Sequence, residues 1–328
     1  MTPIPRPPLD PSLTAANTRI PKRSGLIPQE KLSIRRNAAI LTWDAISAGQ
    51  QNDIEHTERD IPGPTGPLRA SILRSKKHSA QPAATTIGII HYHGGGHCTS
   101  DRFHGLNTLF EIIRSLGAVV ISAEYRLAPE HPQPAQVEDA YAALVWAAAH
   151  AEELGFNASQ LVTCGGSAGG NIAAGVALLA RDRPASPRIF GQLLFYPWLS
   201  DETTSSALEQ FGDIQPWTKE DNAHALDLAL GKNREHATIY TLPASATDLA
   251  GLPPTYIDVG EADVFRDQDV EFANKLWKSG VSAEFHVWMG AWHAFDTFAP
   301  EAPVSRKAAR ARLEWLEWLV ETGGGFKV

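Results

Sequence analysis

Ser167 sits in Gly165-Gly166-Ser167-Ala168-Gly169-Gly170, and a second glycine-rich segment reads His93-Gly94-Gly95-Gly96. A serine in G-x-S-x-G is the pattern of a sharp strand-to-helix turn that lifts a hydroxyl over the end of a sheet. A glycine loop after a strand can present backbone N–H groups to an oxyanion. Both segments follow β-branched apolar runs, and both precede stretches that read as helices. In this order they point to acyl transfer through a serine. A phosphate-binding loop is the competing reading of the second segment. It wants a lysine after the glycines, and Asn171 stands there.

A serine nucleophile needs a base, and the base needs a carboxylate to fix its tautomer. His293, in Trp292-His293-Ala294-Phe295, follows the last strand-like run, and chain order favours it because the base comes last in this arrangement. Asp263 lies just past the preceding run. Glu261, Asp267, Asp296 and Asp201 compete with it, Asp201 most seriously, because the acid can come from either of two neighbouring loops. The N–H groups of Gly94 and Gly95, with that of Ala168 after the serine, are the candidate oxyanion donors. His91, His93 and His97 invite a metal reading, but no acidic or cysteine partner stands at a zinc-like spacing. No metal and no cofactor are expected. The only cysteines, Cys98 and Cys164, exclude a disulfide framework, and the serine is the better nucleophile.

These residues must sit at the carboxyl ends of strands, where sites form in open α/β sheets. The pattern supplies the strands. Apolar runs at 85–92, 118–123, 161–164, 192–196, 255–259 and 284–288 read as strands, with two shorter ones at 56–60 and 68–73. Helical periods fall near 106–116, 137–154, 168–181, 267–279 and 304–321. Strands alternating with helices predict a mostly parallel, doubly wound sheet. The rhythm breaks at 197–253, which holds a helix at 219–230 but no strong strand and reads as an insertion above the sheet. Residues 1–28 carry many prolines and read as a mobile or extended arm. Ile40, Trp43 and Ile46 then recur at helical spacing.

The chain has 328 residues, room for one large α/β core with an added subdomain. A net charge of -8 leaves no basic excess for phosphates, so nucleic acid is not an expected partner. No apolar stretch reaches the ~20 residues of a membrane span, and the N-terminus lacks the apolar core of a secretory signal. A cytoplasmic, soluble protein is expected. Trp315, Leu316, Trp318 and Leu319 give the last helix a wide apolar face, read as core packing, with a homodimer left open.

At this point the chain resembles the hormone-sensitive-lipase-like esterases, the bacterial type IV group of the α/β-hydrolases. The match rests on Tyr92-His93-Gly94-Gly95-Gly96, on Tyr125-Arg126-Leu127-Ala128-Pro129-Glu130-His131-Pro132, on the Ser167 segment, on Asp263 with Arg266-Asp267, and on His293-Ala294-Phe295. The resemblance implies an α/β-hydrolase fold and a carboxylic-ester hydrolase with the triad Ser167, Asp263 and His293. It implies a helical cap built from the N-terminal segment and the insertion. The expected division is 1–50 as arm and part of the cap, 51–196 and 254–328 as the two parts of the core, and 197–253 as the cap insertion. Trp43, Trp198, Phe211 and Trp217 are aromatic residues that such a cap would lay over the cleft, which limits acyl chains to about eight carbons or fewer. His97, Trp198 and Trp217 are the candidate substrate-pocket residues. Two positions depart from the family's pattern. Gly166 stands where an acidic residue is usual, and His97 where an aromatic one is, which puts a polar ring at the acyl pocket. Amide deacylation, lactone opening and dehydration on the same fold stay open. A non-catalytic small-molecule receptor fits less well, because serine, acid and histidine are all present.

Overall fold

The computed structural model describes residues 4–20, 28–47, 53–78 and 83–324. Its frame is one eight-stranded sheet: β1 (Ile54–Gly63), β2 (Gly66–Ser75), β3 (Gly88–Tyr92), β4 (Val119–Ala123), β5 (Leu161–Gly166), β6 (Gly191–Phe195), β7 (Thr255–Ala262) and β8 (Ala283–Trp292). The spatial order is β1-β2-β4-β3-β5-β6-β7-β8. Strands β3 to β8 run parallel, and the β1–β2 hairpin joins antiparallel to β4. Because β3, β4, β5 and β6 are buried on both faces, they read in the sequence as unbroken apolar runs rather than alternating ones.

Successive side chains of β3 show the two faces. Ile90 and Tyr92 point into one core, with α5 (Ala135–Ala149), α7 (Ala168–Asp182) and α10 (Arg266–Lys278). Ile89 points into the other, with α4 (Phe110–Leu116) and α12 (Pro303–Glu321). Trp315, Leu316 and Leu319 of α12 are buried there against the sheet.

Four readings need correction. The proline-rich start is not an extended arm throughout: α1 (Pro11–Arg19) forms, because Asp10 caps the Ser12 N–H and Pro11 fits the first helical position. Leu13 of α1 is completely buried with Phe211 and Trp292. A second helix, α2 (Pro28–Ala39), follows, and α3 (Trp43–Ser47) starts after Ile40, which is exposed. Residues 21–27 of the expected arm lie outside the described residues. The helix expected over 137–154 breaks at His150 into α5 and α6 (Ala151–Leu154). The strand expected from residue 85 starts at Gly88, after a short 3-10 turn at Ala83–Thr85. Residues 197–253 carry α8 (Ser206–Phe211) and α9 (Lys219–Leu230), and only the second was read from the sequence. No described helix is long and apolar enough to cross a membrane.

Candidate active site

The turn between β5 and α7 is closed by backbone meeting backbone. A Cβ on Gly165 would lie 2.4 Å from the Gly169 carbonyl carbon, and one on Gly169 would lie 2.0 Å from the Tyr92 carbonyl oxygen. Only glycine allows α7 to start so close to β3 and β5. Ser167 itself is forced to φ 58° and ψ -122°, a conformation that a side chain normally avoids. That strain sets its hydroxyl over the carboxyl edge of the sheet.

His293 follows β8 and reaches the same edge. Its Nδ1 lies 2.8 Å from Asp263 Oδ2, and its Nε2 lies 3.0 Å from Ser167 Oγ. Asp263, just past β7, is fully buried, and its second oxygen accepts the Phe265 N–H at 3.0 Å. An acceptor-only carboxylate at Nδ1 places the proton there and leaves a lone pair on Nε2 facing the serine. The rival carboxylates are engaged elsewhere. Glu261 accepts the Gly290 N–H, Asp267 accepts the Ala207 N–H, and Asp296 lies against Tyr196 and Arg312. Asp201 has Arg234 as its ionic neighbour, at 3.8 Å.

Gly94 lies against the serine turn: a Cβ there would be 3.6 Å from Ser167 Cβ. His93 shapes this loop. Tyr125 spends its hydroxyl proton on the His93 carbonyl at 2.6 Å, and His93 Nδ1 donates to the Gly94 carbonyl at 2.8 Å. Pinning that carbonyl turns the Gly95 N–H of the same peptide to the opposite side. The Ala168 N–H is at the first turn of α7, where helical amides have no partner in the helix. The three histidines of the metal reading turn to different partners: His91 to Ser122, His93 to Gly94, His97 to Gln133. Burial holds the Cys98 thiol up at about 12, far from a nucleophilic thiolate.

A cavity of about 530 Å³ opens on Ser167 and His293. Trp217 lines it, as do Ala16 and Arg19 of α1 and Gln215 and Pro216 of the 197–253 segment. His97 and Trp198 do not, which corrects their assignment to the pocket. His97 adopts φ 61°, which turns its ring toward Gln133 and Trp198. Trp198 stacks on Phe265 and donates to the Ser200 carbonyl, one layer behind Trp217.

Tyr196 is one of the cavity residues that the pattern does not single out. Its ring meets His293 edge-on at 5.0 Å, and its hydroxyl donates to Asp296 at 2.9 Å. Asp296 in turn holds the buried Arg312, which clamps Asp258 with two hydrogen bonds of 2.8 and 2.9 Å. A Cβ on Gly166 would lie 3.0 Å from the Tyr196 ring. The missing side chain before the serine thus leaves the place where the tyrosine packs. The available signal was Tyr196-Pro197 directly after β6, at the same sheet edge.

Comparison with known proteins agrees with this architecture. The alpha/beta hydrolase fold family matches residues 89–297. Esterase LipI of Mycobacterium tuberculosis is 33% identical over 258 residues, which is 77% of this chain and 78% of LipI. Carboxylesterase NlhH of the same species is 36% identical over 67% of this chain and 70% of its own. Among solved structures, a bacterial heroin esterase superposes with a TM-score of 0.84 at 32% identity, covering 95% of this chain and 98% of that one. Esterase LipW from Mycobacterium marinum gives 0.82 at 30% identity, over 96% and 98%. The chain belongs to the hormone-sensitive-lipase-like esterases of the alpha/beta hydrolase fold, and it is a carboxylic-ester hydrolase.

Proposed function

We propose that Ser167, His293 and Asp263 hydrolyse small to medium carboxylic esters through an acyl-enzyme. The observation that carries this is the unbroken line from Asp263 through His293 to Ser167, with both contacts at hydrogen-bond length. Ser167 Oγ forms a bond to the ester carbonyl carbon while its proton passes to His293 Nε2. The Gly94, Gly95 and Ala168 N–H groups stabilise the oxyanion, each contributing ~2.7–4 kcal/mol in the transition state. Collapse expels the alcohol, which takes the proton from His293. Water, deprotonated by the same nitrogen, then attacks the acyl carbon and frees Ser167 and the acid. Asp263 holds the ring and offsets the imidazolium charge.

The cap reading supports the size limit. Residues of α1 and of the 197–253 segment share the cavity with Ser167, and a cleft of this volume suits acyl chains of about eight carbons or fewer. Hydrolysis of p-nitrophenyl acetate and labelling by a fluorophosphonate test the mechanism together. Ser167→Ala is expected to lower kcat about 10⁶-fold and to abolish labelling. Normal turnover by that variant would sink the mechanism.

A further inference from the structure

His91 lies on β3, two residues before the glycine loop, and lines the cavity although it is only 3% exposed. Its Nδ1 is 2.9 Å from Ser122 Oγ. Ser122 has one proton, and it goes to the Arg102 carbonyl at 2.7 Å. The His91 Nδ1 must therefore be the donor of the pair, which leaves a lone pair on Nε2. That nitrogen has no protein hydrogen bond among the described residues. Gly105, at φ 85°, keeps it uncovered: a Cβ at Gly105 would stand 3.5 Å from His91 Nε2.

His104 is the neighbouring wall. Its ring lies 3.8 Å from the position of a Cβ on Gly94, so it borders the loop that faces Ser167. Among the described residues the cavity lining includes no aspartate or glutamate, and its cations are Arg19 and Arg35. An ammonium group would find no carboxylate among these residues; a carboxylate has cationic partners at Arg19 of α1 and Arg35 of α2, but beside His91 it would bring its lone pairs against that of Nε2. A neutral donor meets neither obstacle. An apolar chain would displace water from Nε2 and leave a buried acceptor unpaired, a state that costs about 1–3 kcal/mol.

We propose that His91, with His104 as the neighbouring wall, forms a hydrogen-bonding end of the substrate cavity, which selects esters carrying a neutral hydroxyl or N–H donor on one limb over their all-apolar counterparts. Burial supports the neutral form of His91, whose pKa is pushed down to about 3. The proposal rests on the Ser167 reading for the site of cleavage, and it adds the class of ester that fits.

Two matched pairs test it and separate the limbs. Ethyl β-hydroxybutanoate against ethyl butanoate probes the acyl limb, and ω-hydroxybutyl acetate against butyl acetate probes the alcohol limb. In wild type, kcat/KM is expected to favour the hydroxylated ester about tenfold in one pair. His91→Phe should bring that ratio to one or below. His91→Gln, whose amide oxygen can replace the Nε2 lone pair, should recover part of it. Titration of the same pairs into Ser167→Ala should show the preference in Kd without turnover. Ratios near one in both pairs for wild type, or an unchanged preference in His91→Phe, would overturn the subsite. Turnover by Ser167→Ala would overturn the triad instead, with the kcat/KM ratios still reading the subsite.

Discussion

The sheet edge and the layer above it are held by different kinds of contact. At the edge, Gly169 meets the Tyr92 carbonyl and Gly170 meets Pro197 with no room for a methyl group. Above it, α2 is tied down by the ends of long side chains. Arg36 reaches the Cys98 and Ala128 carbonyls and the Glu130 carboxylate, and Arg35 reaches Asp221 and the Pro216 carbonyl while lying over the Trp217 ring. Backbone packing cannot yield by even a few tenths of an ångström without strain. Arginine stems can swing. The proposed chemistry and the His91 subsite thus sit on the stiff part, and the proposed limit on acyl length on the part that can adjust. Changes at the edge should cost rate by orders of magnitude, and changes in the cover should shift preference modestly.

The largest effect that separates the two regions is expected at the acid. Asp263→Asn should lower kcat by about 10⁴, because an amide N–H facing Nδ1 reverses the tautomer. Asp201→Asn should change kcat less than twofold, since Asp201 is half-exposed and faces Arg234, while His293 Nδ1 is bonded to Asp263. A crippled Asp201→Asn beside a mild Asp263→Asn would reverse the assignment, and kcat on p-nitrophenyl acetate decides it.

How far the sequence anticipated this difference follows the same division. The edge was legible, because its turn must be glycine-rich and its strands must be apolar throughout. Ser167 and His293 follow from strand ends and chain order, whereas Asp263 stands among rivals there and is singled out by the family resemblance. The cover was less legible. Proline content suggested an extended arm where Asp10 and Pro11 start a helix. The family pattern points His97, and the cap reading points Trp198, into the pocket, yet the positive φ of His97 and the Phe265 stack on Trp198 go with both rings lying in the layer behind. Arg312 was invisible as a partner of Asp258, 54 residues away in the chain, because no local pattern announces a buried ion pair.

A second test sharpens the contrast through pH. Burial pushes His91 and His97 down to about 3 and His93 to about 4. The unfolded chain binds their protons near pH 6.5, so each contribution is intact above that pH and falls as pH drops toward the folded value. Each group should remove up to about 1.4 kcal/mol of stability per pH unit within that window. Tm should therefore decline from pH 6.5 to 5. His97→Asn keeps a residue type that tolerates positive φ and should flatten the decline by one proton's worth, whatever its effect on Tm at pH 7. An unchanged slope would mean that His97 is not the neutral, buried group described.

The smallest effect is expected at Arg36. Its pair with Glu130 is half open to solvent, and such pairs contribute only ~0–1 kcal/mol. The guanidinium nevertheless holds the Glu130 carboxyl down at about 2, so the pair is charged at neutral pH and weakens only as pH falls from the ordinary carboxylate range toward that value. Arg36→Met keeps the stem and removes the contacts to Cys98, Ala128 and Glu130 together. Those carbonyls flank the glycine loop, so α2 should shift over the cavity while Ser167, His293 and Asp263 keep their hydrogen bonds. Acyl-length profiles, measured from acetate to decanoate, should shift about threefold in KM, with kcat on acetate within twofold of wild type. A profile that does not move would show that α2 covers the site without selecting for it. A collapse of kcat on acetate would show that the cover and the edge are one rigid unit, and the division between stiff chemistry and adjustable selection would fail.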